Sequence, residues 1–391
     1  MRPLRVLRLI TRLNIGGPSI QAITLSERLA PRGFTTRLVH GSLGEGEGDM
    51  RYLLSPSADV EHLPSLRREL SPQNDYAAFT RVSAILRDFR PQIVHTHMAK
   101  AGAIGRAAAA LYNRSAAPHE RARVVHTYHG HVLEGYFSAP RTAFFVGAER
   151  LLARSTDRIV AISPAIRDEL LLQHRIGRSD QYRVVPLGFD LSAFALIDDR
   201  ARAAARESLG IAASAHVVST VGRLTAIKQH HLFLETARLV ANQDPAALFL
   251  IAGDGELRAG LEQTARDFGL ADRVRFLGWR RDLATIYGAS DVFLLTSRNE
   301  GTPVALIESL ASGVPGVSTD VGGVRDVMPG DVGFVAPYDD AAGLAAGVTT
   351  LVGNAQLRRT MGERGRASVV ARYGIDRLVD DIDALYHELL G

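Results

Sequence analysis

Short apolar runs alternate along the chain with stretches whose apolar positions return every three or four residues. LRVLRLI (4–10), TTRLVH (35–40), QIVHTH (92–97), RVVHTYHG (123–130), DRIVAIS (157–163) and YRVVPLG (182–188) have the length and β-branched content of buried strands. Between them IQAITLSERLA (20–30), DYAAFTRVSAILRDF (75–89) and AGAIGRAAAALY (101–112) carry helical periodicity. The rhythm pauses at the charged segment IDDRARAAARESLG (197–210) and restarts with HVVSTVGRL (216–224), ALFLIAGDG (247–255), RVRFLGW (273–279) and DVFLLTS (291–297), again separated by helical patterns. Strand, helix, strand is the order of a parallel sheet covered on both faces. Two doubly wound α/β domains in tandem are therefore expected, joined near Gly188 to Asp198. GSLGEGEGDM (41–50) reads as a mobile loop after the second strand.

Such folds bind ligands at the carboxyl ends of their strands, and the unusual residues lie there. NIGGPS (14–19) follows the first strand, and Gly16 and Gly17 with Ser19 can bring backbone amides close to phosphate. GRLTAIK places Arg223 and Lys228 five apart after a strand, a planar fork of donors and a compact charge able to hold a diphosphate. RNEGTPVALIESLASGVP (298–315) sets Glu300 just before a helix and Glu308 between one and two turns inside it. Thr302 is the expected N-cap, Pro303 the expected first helical residue, and Gly313 the stop. Free amides at that helix start form an anion site.

Five histidines, His95, His97, His126, His129 and His131, crowd the ends of two strands. Alternate strand residues share a face, so some of them turn into the sheet as packing or orienting residues, and His129 is the better candidate for a polar contact to substrate. No metal is expected. Asp381 and Asp383 form an Asp-x-Asp pair, but within the helical pattern IDRLVDDIDALYHELL a solvated face is the expected reading.

Composition narrows the classes. With 391 residues, 46% hydrophobic and 23% charged, the chain has the balance of a globular protein with room for two cores. It has no cysteine, which excludes disulfides and thiolate metal sites. No apolar run is long enough to span a bilayer and the basic start is not a signal peptide, so a cytoplasmic location is expected. The net charge of +4 is uneven: through Gly188 there are 26 Lys and Arg against 16 Asp and Glu, near +10, which leaves 20 against 26, near −6. A basic front half suits a phosphorylated substrate or an anionic membrane surface; nucleic acid is not expected, because no aromatic and basic residues interleave and no known module is present. Neither GxGxxG nor Walker A follows the first strand, which weighs against dinucleotide oxidoreductases and P-loop enzymes.

Glu300 followed by seven residues and Glu308, inside RNEGTPVALIESLASGVPGVSTDVGGVRDVM, with VGRLTAIK and LIAGDGELR upstream, resembles the family 4 retaining glycosyltransferases over nearly the whole chain. VHTHMAKAGAIGR and VVHTYHGH are similar to members that build bacterial exopolysaccharides on lipid carriers. The resemblance implies the GT-B fold: two Rossmann-like domains facing across a cleft, an acceptor-side domain over 1–188, a nucleotide-sugar domain over 189–370, and a terminal helix over 371–391 packing back on the first.

By the same resemblance, Glu308 accepts hydrogen bonds from the donor's ribose hydroxyls, Glu300 contacts the transferred sugar, and Gly301, Thr302, Pro303 and Val304 approach the diphosphate or sugar. Arg223 and Lys228, beside Gly222, absorb charge on the leaving diphosphate, while Gly16 and Gly17 close against it. The base lies along Arg275 to Gly278, including Leu277, and the turn from Gly253 to Gly255. His129 sits near the transferred sugar, with His97, Lys100 and His131 on the acceptor side. The reaction implied is metal-independent glycosyl transfer with retention, UDP or GDP being the expected nucleotide and a lipid-linked or other glycan the acceptor. Three other uses stay open: a sugar-nucleotide epimerase, a hydrolase, and a non-catalytic nucleotide-sugar binder.

Overall fold

The computed structural model describes residues 3–130 and 139–391. They form two compact units, Met1–Phe189 with Ile375–Gly391, and Asp190–Gly374.

The first unit holds seven parallel strands in the order β3-β2-β1-β4-β5-β6-β7. They are β1 (Leu4–Ile10), β2 (Phe34–His40), β3 (Asp59–His62), β4 (Ile93–His97), β5 (Arg123–Tyr128), β6 (Arg158–Ala161) and β7 (Tyr182–Val184). Helices α1 (Gly17–Arg28), α2 (Pro72–Phe89), α3 (Ala99–Ser115), α4 (Ala139–Ala153) and α5 (Pro164–Asp168) connect them. Alternation along β1 decides which side chains meet which layer. Leu7 and Leu9 join Val82, Ile85 and Ala108 of α2 and α3, while Val6 joins Leu25 of α1 and Leu378, Ile382 and Tyr386 near the chain end. Those last residues belong to the terminal helix Ile375–Leu390, which completes this unit's core.

The second unit starts with α6 (Ser192–Ala195) and α7 (Asp199–Ser208) and holds six parallel strands in the order β10-β9-β8-β11-β12-β13. These are β8 (His216–Val221), β9 (Ala247–Ala252), β10 (Val274–Gly278), β11 (Val292–Leu295), β12 (Gly316–Thr319) and β13 (Gly333–Ala336). Its other helices are α8 (His230–Gln243), α9 (Arg258–Asp267), α10 (Leu283–Ala289), α11 (Val304–Ala311), α12 (Val324–Val327), α13 (Ala341–Gly353) and α14 (Ala355–Tyr373); the terminal helix is α15. Phe233, Phe249, Leu261 and Leu344 pack one face, and Ala205, Leu250 and Ala289 the other.

In each sheet the strand order reverses once, at β1/β4 and at β8/β11. A crevice opens at such a reversal because the two following connections leave on opposite faces. The loop over residues 41–50, expected to be mobile, is tied down: Glu47 pairs with Arg12 at 2.8 Å, and Met50 donates its backbone N–H to Leu13.

Candidate functional site

In the second unit, β8 ends at Val221 and its loop carries Gly222, Arg223 and Lys228; β11 ends at Leu295 and its loop carries Glu300. The two loops meet across the β8/β11 reversal. Lys228 Nζ donates to Glu300 Oε1 at 2.6 Å, and Ser297 Oγ donates to the same oxygen at 2.6 Å. Oε2 of this largely buried carboxylate keeps its acceptor capacity, with no hydrogen bond among the described residues. Thr296 Oγ1 donates to the Lys228 and Gln229 carbonyls at 3.1 Å, which locks the two loops together from below. Arg223 is exposed and has no side-chain hydrogen bond or ion pair among the described residues. One cation is thus held by a carboxylate and the other is free for an anionic ligand.

Helix α11 begins one residue later than expected. Its N-cap is Pro303, and Thr302 makes no capping bond. A proline N-cap with no side-chain acceptor leaves the amides of Gly301, Thr302, Val304 and Ala305 without a backbone partner among the described residues. These are the donors an anion would fill. Glu308 sits just over one turn in, half-buried, and accepts from Tyr287 Oη–H at 2.9 Å. Burial raises its carboxyl to about 7, against which the Tyr287 bond acts. Tyr287 is itself fully buried against Phe194 and Phe293.

Two close backbone approaches shape the loops. A Cβ on Gly253 would lie 1.8 Å from the Gly222 carbonyl oxygen, and Gly253 donates to Gly278 at 2.8 Å, so the turn after β9 is pressed onto the loop after β8. Gly255 is also tight, its Cβ position 2.5 Å from the Leu224 oxygen. Leu277 packs against Leu250 and Ala289, next to Gly278 at the carboxyl end of β10. Arg275 lies in β10, beside Leu277. Its guanidinium donates to the Leu209 and Gly210 carbonyls at the end of α7, which commits it to the fold.

In the first unit, Gly16 (φ 153°) is the N-cap of α1 and donates to Met50 Sδ, while Gly17 packs against Leu187. Lys100 is tied to Asp75 at 2.6 Å, joining α3 to α2. His97 is fully buried with Nε2 against Arg8 at 3.3 Å and Nδ1 against His129 Nε2 at 3.0 Å, so it has no atom left for an acceptor. His95 is equally buried and bonded to Arg8, Tyr386 and Thr127; His126 faces the opposite side of the sheet with Thr96. Among the described residues no group of three or more His, Cys, Asp or Glu is placed to hold a metal ion. Burial, aided for both by the Arg8 charge, holds them well below the usual imidazole value, and burial holds His129 at about 3. His131 lies outside the described residues.

Sequence reasoning missed Ser297, Tyr287, Arg8 and Tyr386, and the double glycine Gly322-Gly323. A Cβ on Gly322 (φ 49°) would sit 1.9 Å from the Glu300 carbonyl oxygen, one on Gly323 2.1 Å from that of Gly301, and Gly323 donates to Glu300 at 3.0 Å. These glycines let the loop after β12 brace the Glu300 loop. VGGVR, a turn signal just past a short apolar run, was the readable clue.

Known proteins resemble the chain over most of its length. Residues 15–193 match the family described as Glycosyltransferase Family 4, and residues 201–368 match Glycosyl transferases group 1. The D-inositol 3-phosphate glycosyltransferase of Geodermatophilus obscurus is 31% identical, covering 95% of this chain and 84% of its own. The UDP-Gal:alpha-D-GlcNAc-diphosphoundecaprenol alpha-1,3-galactosyltransferase of Escherichia coli is 28% identical over 88% of this chain and 87% of its own. The crystal structure of Anabaena HepE in complex with UDP superposes with a TM-score of 0.82 at 21% identity, covering 98% of this chain and all of that one, a likeness of fold.

Proposed function

Since the chain belongs to the family 4 glycosyltransferases and has the GT-B fold, we propose that it transfers a sugar from a nucleoside diphosphate sugar, with retained anomeric configuration and without a metal ion, to a lipid-linked glycan. The observation that carries this reading is the second unit's convergence of Lys228, Glu300, the open amides before α11 and the unpaired Arg223 on the β8/β11 reversal. Two cations and a helix start supply what a leaving diphosphate needs, namely preorganised positive charge where negative charge develops. Glu308, a turn further in, suits ribose hydroxyls, and Glu300 Oε2 suits a sugar hydroxyl.

Retention is what the family resemblance implies, and the site is compatible with it. Glu300 shares one oxygen with Lys228 and Ser297, a poor arrangement for a covalent nucleophile. Attack on the face the diphosphate leaves, with that phosphate taking the acceptor proton, needs no protein nucleophile. Support for a lipid-linked acceptor comes from the Escherichia coli relative named for a diphosphoundecaprenol-linked sugar and from this chain's basic first 188 residues. No helix among the described residues is long and apolar enough to cross a membrane; the reading takes access to such an acceptor as peripheral because the first 188 residues are basic. Exposed Arg67, Arg68, Leu70 and Tyr76 offer one basic and apolar stretch for it.

The test supplies UDP-, GDP- and TDP-sugars with a short polyprenyl-diphosphate sugar in excess EDTA, and reads the product's anomeric proton coupling. Transfer with the donor's own configuration is expected. Free sugar in place of transfer would favour the hydrolase, an isomerised donor the epimerase, and an inverted product would end the retaining assignment.

A further inference from the structure

The first unit buries an arginine that meets no carboxylate among the described residues. Arg8, in the middle of β1, is fully buried, and its guanidinium is met by His95 Nδ1 at 3.2 Å, His97 Nε2 at 3.3 Å and Tyr386 Oη at 3.2 Å. Register explains the cluster. Arg8 pairs with His95, and Ile10 with His97, in the parallel β1/β4 ladder, while His97 pairs with Thr127 in β4/β5, so all these side chains share the face covered by α15. A desolvated cation without a counter-charge is costly, and its retention in the centre of a sheet calls for a use.

Its chemistry sets the protons of everything it touches. A guanidinium only donates, so each ring nitrogen facing it must offer a lone pair. His97 Nε2 is therefore an acceptor, and the ring's proton is on Nδ1. That Nδ1–H points at His129 Nε2, 3.0 Å away, which makes His129 Nε2 an acceptor in turn. The His129 proton then lies on Nδ1, an atom buried and without a partner among the described residues. The neighbouring ring obeys the same rule: His95 Nδ1 accepts from Arg8 and from Tyr386 Oη–H at 2.6 Å, and its Nε2–H donates to Thr127 Oγ1 at 2.7 Å. Neutral rings are required throughout, and burial keeps all three neutral.

We infer that Arg8 is a positioning residue which, through His97, fixes His129 as its Nδ1–H tautomer, so that His129 presents a hydrogen-bond donor to a ligand oxygen and has no free lone pair with which to act as a base. The partner is an acceptor oxygen, a hydroxyl among others; a ligand offering only an N–H or ammonium group there is refused. That this oxygen belongs to a sugar rests on the glycosyltransferase reading above, whereas the tautomer does not.

The experiment labels the full chain with 15N-histidine and records two-bond proton–nitrogen correlations without nucleotide, with His129 assigned by its absence in His129→Gln. His129 is expected to show a protonated-type Nδ1 and a lone-pair-type Nε2. Arg8→Met removes the donor while keeping bulk, and should shift His97 and His129 toward the other tautomer; Arg8→Lys keeps a donor-only cation and should restore the wild-type pattern. Wild-type His129 protonated on Nε2, or a His129 pattern unchanged in folded Arg8→Met, overturns the inference. The wild-type spectrum decides even if a variant fails to fold, and because no substrate is present its outcome is independent of whether the chain transfers sugar.

Discussion

Glu308 carries the sharpest consequence at the scale of single residues. Ribose hydroxyls donate best to an ionised carboxylate, yet burial leaves this group near 7 rather than its ordinary 4.5. Nucleotide binding must then take up the cost of ionising it below that pH. Affinity should be flat above about pH 7.5 and fall by roughly tenfold per pH unit below 7. Sign matters for the free protein as well: a carboxyl whose folded value is raised contributes its stability below about 4.5 and loses it as pH rises through 7. Tyr287→Phe removes a donor to the charged form, so the break in the affinity profile should move upward; an identical profile by calorimetry would mean that Tyr287 does not tune Glu308. The two cations separate by their partners. Arg223→Ala and Lys228→Ala should each slow transfer by about a hundredfold or more, but only Lys228→Ala, which unpairs Glu300, should also change thermal stability. Turnover within a few-fold of wild type for both would make them ordinary loop cations.

At the scale of elements, loop placement depends on backbone contacts that admit no side chain. Gly322→Ala adds a methyl 1.9 Å from the Glu300 carbonyl oxygen at a left-handed residue. A cost of roughly 1–3 kcal/mol is expected from the conformation alone, with Glu300 displaced and turnover reduced. Gly260→Ala, in α9 with nothing within 4 Å of the new Cβ, should leave melting unchanged or raise it. Equal melting temperatures and rates for Gly322→Ala and wild type would refute the bracing role. The long strands were readable because they are apolar and bounded by turn residues, and the site loops because they follow those strands. Asp59–His62, Gly316–Thr319 and Gly333–Ala336 were not singled out. Each is four residues long, and the first is a polar edge strand with no buried position. The N-cap was misplaced by one residue because Thr302 has cap chemistry while Pro303 takes the cap geometry.

For the molecule as a whole, the charge division that composition shows has a physical use if the acceptor is lipid-linked. Each basic residue near an anionic bilayer is worth about 1 kcal/mol, so the chain should sediment with anionic vesicles, be released by salt, and ignore neutral ones; Arg67→Glu with Arg68→Glu should weaken this binding. Indifference to anionic vesicles at low salt would point to a soluble acceptor. Contacts at this scale were the least legible in sequence. Arg8 and Tyr386 meet across nearly the full length of the chain, and a charged residue inside MRPLRVLRLI reads as an interruption of a strand until register brings His95 and His97 beside it. Glu300 and Lys228, by contrast, could each be assigned to the site in advance because both follow the carboxyl ends of strands in one sheet, although their ion pair was not foreseen. In the proposed reading the second unit grips a nucleoside diphosphate through Arg223, Lys228, Glu308 and the open amides before α11, without a metal ion. Calorimetric titration of UDP and GDP into wild type and Glu308→Ala, in excess EDTA at pH 8, addresses it directly. Binding of at least one nucleotide by wild type is expected, weakened in folded Glu308→Ala by about tenfold or more, the loss of a charge-assisted hydrogen bond worth roughly 1.5–3 kcal/mol. Binding of neither nucleotide, or equal affinity in the two proteins, would contradict it.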